Sequence, residues 1–182
     1  FWGDLHGQSG ETVGINPIRE YFEFGRDLAM LDVMSHQAND FQVKNAFWDE
    51  INQVTAEFDQ PGSFVAFPGY EWSGNSPTGG DHNVFFRHEG QRMIRSSHAL
   101  LTDRADIADD ATTTKDLFEA LKDEDCVLYA HIGGRPANIA QADGGWLRTS
   151  LEVHSDWGTF EWVMKDSFEL SYRHGLVCNS DG

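Results

Sequence analysis

Six apolar, strand-like runs of this chain end in a histidine or a carboxylate: Phe1 to His6, Met30 to His36, Phe67 to Glu71, Val127 to His131, Leu151 to His154 and Leu176 to Asp181. Imidazole and carboxylate are the side chains that hold zinc, manganese or iron. A closed parallel barrel collects the C-terminal ends of its strands at one mouth, where active sites sit. The repetition therefore points to one metal site assembled from distant pieces. Taken singly, His6 and His36 are weak signals, because strand ends often expose polar residues. Glu71 is sharper, since a carboxylate after Phe67-Pro68-Gly69-Tyr70 is costly unless solvated, paired or bound to metal. His82, His131 and Asp181 repeat the pattern, and the joint occurrence carries the inference.

The elements that must position these groups alternate between strand-like and helix-like segments, which predicts an α/β fold with a mainly parallel sheet. Seven strands are expected, with Ser63 to Glu71 forming one of them. Asn16 and Pro17 read as the N-cap and first turn of a helix running through Arg26. Phe47, Ile51, Val54 and Phe58 recur at helical spacing, and Pro61-Gly62 closes that segment. Thr113 or Thr114 caps a helix through Lys122, and a last helix covers about 159–173, with His174 as a cation near its end. Residues 87–113 are polar and aperiodic, with Asp103, Asp106, Asp109 and Asp110 together, and read as a long acidic excursion, a lid or a docking surface.

With 182 residues, 40% of them hydrophobic, the chain has enough apolar surface for one core, so 1–182 is expected as a single domain. The formal charge of −17 argues against a general nucleic-acid surface or an anionic-membrane surface. No run has the length of a membrane span. Two cysteines, Cys126 and Cys178, make no disulfide framework, so both a cytoplasmic and a periplasmic or secreted setting fit. The chain begins inside a strand-like run and stops within Ser180-Asp181-Gly182, the expectation for a piece of a longer protein. Oligomeric state is not encoded in any visible pattern.

The ordered set Asp4-Leu5-His6, Ser35-His36, Gly69-Tyr70-Glu71, Asp81-His82, Ala130-His131 and Ser180-Asp181 resembles the PHP (polymerase and histidinol phosphatase) superfamily. Within it, residues 3–12 (Gly-Asp-Leu-His-Gly-Gln-Ser-Gly-Glu-Thr) and 67–74 (Phe-Pro-Gly-Tyr-Glu-Trp-Ser-Gly) are similar to the branch called domain of unknown function 3604. The resemblance covers nearly the whole chain. It implies a distorted seven-stranded (β/α)7 barrel, incomplete at both ends, with two or three divalent ions (zinc, manganese or iron) at its mouth. By motif, His6, Glu71 and Asp181 hold one ion, Glu71 bridges to a second completed by His82 and His131, and His36 belongs to a third with a histidine expected after Gly182. The superfamily's first motif usually has a second histidine where Gln8 stands. Glutamine is a weaker neutral ligand, with Asp4 as its helper and Glu11 the nearest replacement for a further ligand in that loop.

The expected function is that of a metal-dependent hydrolase using a metal-activated water at the barrel mouth, with Glu71 fixing the ions and a phosphoester as the preferred small-molecule substrate. His154 reads as a proton donor to the leaving group, a further ligand, a partner of one, or a satisfied strand-end histidine. Arg135, after Gly133-Gly134, reads as a substrate clamp or a surface arginine. Trp72, Trp146 and Trp157 stack on a ligand or serve packing. Two other readings stay open: hydrolysis of an amide, lactone or sugar-linked ester, and a non-catalytic module in which metal only stabilises a binding surface. A zinc deaminase is disfavoured, because its paired cysteines after a proline are missing.

Overall fold

A computed structural model describes residues 1–182, and its strands fall into two sheets. The first holds β1 (Gly3–Gly7), β2 (Val33–His36) and β3 (Val65–Phe67), all parallel and in that order. The second runs β4 (Gly69–Trp72), β5 (His82–Phe86), β6 (Cys126–Ala130), β7 (Arg148–Ser155) and β8 (Gly158–Thr159), with β9 (Gly175–Cys178) alongside β7. Four helices, α1 (Ile18–Glu23), α2 (Asn45–Phe58), α3 (Thr114–Leu121) and α4 (Glu161–Glu169), complete the α/β fold.

The expected seven-stranded barrel does not form: the chain makes nine strands in two sheets with no closed ring. The main reason is β5, which runs antiparallel to both β4 and β6. Parallel neighbours need a crossover of roughly a dozen residues or more, and the link from Trp72 to His82 is shorter, with room only for a 3-10 turn at Ser76–Thr78. The single strand expected over 63–71 is likewise cut at Pro68, which has no N–H to give to a ladder. Phe67 ends the first sheet and Gly69 starts the second. A Cβ on Gly69 would lie 2.5 Å from the Val84 carbonyl oxygen, so only glycine permits this close passage.

The sheets meet where their strands end. Asp40 N–H donates to the Glu71 carbonyl (2.9 Å) and Glu71 N–H to the Ala38 carbonyl (3.0 Å), tying the exit of β2 to β4. On the other side Asp181 N–H donates to the His6 carbonyl (2.6 Å), and Leu5 N–H to Asn179 Oδ1 (2.9 Å), tying β1 to the segment after β9. These few bonds bring strand ends that are remote in sequence to one place.

The helices follow their apolar stripes. In α2, Phe47, Trp48, Ile51, Val54 and Phe58 are buried on one face. Phe22 of α1 stacks on Phe58 with ring centroids 5.3 Å apart, and Trp48 meets Tyr70 edge-on at 5.8 Å. Thr113 caps α3, its hydroxyl accepting from Asp116 N–H at 3.2 Å. At α1 the cap position falls to Pro17, while the expected cap, Asn16, gives its carbonyl to Gly10 N–H (2.8 Å). α1 widens into a π turn over Phe24–Leu28.

The acidic excursion is a wall built into the fold. Met93 and Ile94 are buried in the main core, and Trp48 Nε1 donates to the Gln91 carbonyl at 2.8 Å. His98, buried, is gripped between Asp110 (2.7 Å) and Asp106 (2.9 Å). His174 is not the expected helix-end cation: burial and nearby Arg148 lower its pKa, and its Nδ1 lies 2.8 Å from Ser167 Oγ. Trp72 is wholly buried, whereas Trp146 and Trp157 are exposed. Cys126 is buried and Cys178 exposed, both free. No helix is long and apolar enough to cross a membrane.

Candidate metal centre

Where the strand ends converge, two overlapping sets of buried groups form: His6, His131, Glu152 and Asp181, and then Glu71, Asp81 and His131, the ligand atoms of each set lying within 4.8 Å of one another. β1 supplies His6, β4 Glu71, the approach to β5 Asp81, the exit of β6 His131, β7 Glu152, and the exit of β9 Asp181. His6 and His131 meet edge-on with ring centroids 4.5 Å apart. Glu71 reaches both, with Oε2 3.6 Å from His6 Nε2 and Oε1 3.7 Å from His131 Nε2. Asp181 Oδ1 lies 3.1 Å from His6 Nε2 and Oδ2 3.9 Å from His131 Nδ1. Asp181 holds a left-handed backbone conformation (φ 56°), which is strained for a residue other than glycine.

The charges crowd. Burial opposes an imidazolium at His6, yet the Glu152 carboxylate and then Glu71 and Asp181 raise its pKa well above the ordinary range. Burial and His6 both oppose a charge on His131, and the carboxylates of Glu71 and Asp81 still lift it. Glu71 is resisted by burial but driven down by His131 and His6. Asp81 is pushed up to about 7 by burial and by Glu71, despite its pairing with Arg135. Burial takes Asp181 up to about 6. Glu152, also opposed by burial, is lowered by His6. Four carboxylates thus share a dry space with two imidazoles and one guanidinium.

Around this cluster the polar groups are organised. Both Glu152 oxygens lie 3.1 Å from His6 Nδ1. Asn179 Nδ2 donates to Glu152 Oε2 (2.6 Å), and Tyr129, whose hydroxyl donates to the Leu5 carbonyl (3.0 Å), receives Asn83 Nδ2 at 2.8 Å. Arg135 gives Nε to Asp81 Oδ1 (2.7 Å) and Nη2 to Glu71 Oε1 (3.3 Å), with its guanidinium 5.1 Å from the Phe41 ring. Ser73 Oγ donates to Glu71 Oε1 at 3.1 Å.

Of the residues expected from sequence, His6, Glu71, His131 and Asp181 come together, and Arg135 sits beside them. Gln8 also reaches the cluster, but as a donor to Glu71 Oε2 (3.1 Å), with its own oxygen taken by Thr12. Asp4 stays outside and braces the 180 turn, accepting from Ser180 N–H at 3.2 Å. Glu11 receives Ser9 Oγ at 2.7 Å and is likewise outside. His82 is not brought in. It pairs with Trp72 across the β4–β5 ladder, on the sheet face opposite Glu71, and packs 5.7 Å from Phe118. His36 is buried between Tyr21 (5.7 Å) and Phe47 (5.9 Å), belongs to neither ligand set, and burial takes its pKa down to about 3. His154 is exposed and bonded to Thr159 Oγ1 at 2.7 Å, beyond a register shift that separates it from Glu152. Asp81 and Glu152 were not among the expected ligands. The only trace of Glu152 is a carboxylate inside the apolar run Leu151-Glu152-Val153, which also fits an ordinary half-exposed strand.

The cluster fits a divalent cation. The ring nitrogens His6 Nε2, His131 Nδ1 and His131 Nε2 are buried with no hydrogen-bond partner, a costly arrangement in a polar site. They face carboxylates whose mutual repulsion a cation relieves, and mixed imidazole and carboxylate donors suit such ions.

Solved structures that resemble the fold include two of bacterial proteins. A two-domain protein from Bacteroides vulgatus, said to contain a PHP-like metal-dependent phosphoesterase inferred by prediction, matches with a TM-score of 0.58 and 14% identity over 99% of this chain and 51% of that one. A protein from Bifidobacterium adolescentis, proposed to be a metal-dependent phosphoesterase, matches with a TM-score of 0.61 and 17% identity over 98% of this chain and 86% of that one. The chain thus spans about half the length of the first. At these identities the likeness is one of fold. No curated protein matches the chain closely enough to count as a relative. Residues 8–132, more than half of the chain, match the family model described as a protein of unknown function (DUF3604), and the chain belongs to that family.

Proposed function

We propose that this chain is the core of a metal-dependent hydrolase of the PHP type, acting on a phosphoester. The observation that carries the reading is the buried cluster of two imidazoles, with His6 Nε2 and both ring nitrogens of His131 lacking a hydrogen-bond partner, among four carboxylates at the meeting point of the strand ends. The two structural neighbours, each described as a predicted or proposed metal-dependent phosphoesterase, support the same direction. His6, Glu71, His131 and Asp181 would hold a divalent cation, with Asp81 on the Glu71 side, and Glu71 reaches both histidines. The chemistry a divalent cation would supply there is polarisation of an ester and a bound water acidic enough to act as nucleophile near neutral pH.

The remaining residues have separate work. Glu152 fixes His6 through Nδ1, so that Nε2 points at Glu71 and Asp181. Arg135 orients Asp81 and Glu71 with Nε and Nη2, and Nη1 is left for a substrate oxygen as negative charge develops on it. Gln8 steadies the second oxygen of Glu71.

Glu71→Ala tests the reading: turnover of phosphomonoesters and phosphodiesters is lost and the purified protein is depleted of metal by elemental analysis. Full activity of that variant in metal-analysed protein overturns it.

A further inference from the structure

A polar cavity of about 390 Å3 opens beside the cluster, and the proposed function does not yet use it. Its size lies within the range of roughly 300–1,000 Å3 typical of small-molecule sites. Two of its lining residues touch the cluster directly: Ser73, whose hydroxyl donates to Glu71 at 3.1 Å, and Arg135, whose Nη2 donates to the same carboxylate at 3.3 Å. The cavity is therefore within reach of a molecule held at the cluster. The opposite wall is the excursion, through Ser96, Ser97 and Thr112.

The walls are tied together. Buried Asp40 accepts from Ser73 N–H (2.9 Å) on one side and from Ser96 Oγ (3.1 Å) on the other, so the cavity has a fixed width. Ser97 Oγ accepts from Ala99 N–H at 3.0 Å and keeps its own proton to donate. Four of the nine lining residues carry hydroxyls, Asn75 adds an amide and Arg135 a guanidinium, and no carboxylate is among them. Only Phe41 and Ala99 are apolar. The Ser97 and Thr112 hydroxyls, free to donate, with the Asn75 amide and the Ser73 and Ser96 oxygens still able to accept, match a ligand bearing several hydroxyl groups. A flat apolar or a polycationic group finds no complement here.

We propose that this cavity receives the hydroxylated, non-reacting end of the substrate, so that the substrates are phosphate esters of sugars or polyols and the excursion sets specificity through Ser97 and Thr112. The proposal rests on the hydrolase reading for the phosphate end only; the polyol end is argued from the cavity itself.

The test compares sorbitol 6-phosphate with methyl phosphate on the metal-loaded protein, and on Ser97→Leu and Thr112→Val. Sorbitol 6-phosphate is expected to be preferred by tenfold or more in kcat/KM. In both variants that preference shrinks at least fivefold, through a rise in KM for sorbitol 6-phosphate. Equal use of the two esters, or a preference that survives both substitutions, overturns the inference and leaves the hydrolase standing. If neither ester is hydrolysed, the hydrolase reading fails by itself, and amide chemical shifts decide the cavity: sorbitol 6-phosphate moving Ser97 and Thr112 upholds it, and no movement refutes it.

Discussion

Glu152→Gln isolates how the centre is held together. Both carboxylate oxygens lie 3.1 Å from His6 Nδ1 in a fully buried contact, and Asn179 holds one of them at 2.6 Å. The substitution keeps the shape and removes the charge that makes Nδ1 a committed donor. Loss of such an outer partner of a metal-binding histidine weakens metal affinity by about 10–100-fold. At a cation concentration about 100 times the wild-type Kd, binding stabilises the native state by about 2.7 kcal/mol. With Kd raised by 10–100-fold, the same concentration yields about 0.4–1.4 kcal/mol. At about 2–4 °C per kcal/mol for a chain of this size, the wild-type rise of roughly 5–11 °C in Tm falls to half or less. Thermal melts across a series of cation concentrations measure this directly. An unchanged cation-induced rise refutes the orienting role of Glu152. Complete loss of the response at any concentration shows instead that Glu152 is itself a ligand.

Two further outcomes follow from the same geometry and from the helix caps. Cation binding near pH 7 releases protons, because His6 and His131 have raised pKa values, Asp81 sits at about 7 and Asp181 at about 6, and all must be deprotonated to bind metal. Since these pKa values lie above the usual ones, protons compete below them: affinity strengthens from pH 6 to pH 8, and calorimetry in buffers of different ionisation enthalpy reads at least a fractional proton released, whereas a buffer-independent heat refutes the assignment. Thr113→Ala removes the α3 cap and costs about 1 kcal/mol, or roughly 2–4 °C in Tm, with cation affinity unchanged because the cap is remote from the cluster.

Membership of the buried cluster was more legible in the sequence than the scaffold was. His6, Glu71, His131 and Asp181 were legible because each breaks an apolar run, and a polar group there needs a partner. Glu152 was hidden because alternation of apolar and polar residues also describes a strand with one wet face. Asp81 and His82 are neighbours whose side chains diverge: pairing of His82 with Trp72 sends its ring to the packed face, leaving Asp81 at the cluster. Choosing between them requires the register, which periodicity does not contain. The barrel failed for a related reason. Hydrophobic pattern marks a strand but not its direction, so the reversal of β5 left no trace beyond the shortness of the link before it.

Closure of the centre also has a kinetic side. His6 comes from the first strand and Asp181 from the exit of the last, joined by a backbone bond of 2.6 Å, so that part of the cluster exists only after the two extremities of the fold have docked. Such distant pairings are costly in loop entropy and tend to form late. A cation captured there would leave the folding rate nearly untouched and slow the opening of the native state, a latch on a door that has already shut.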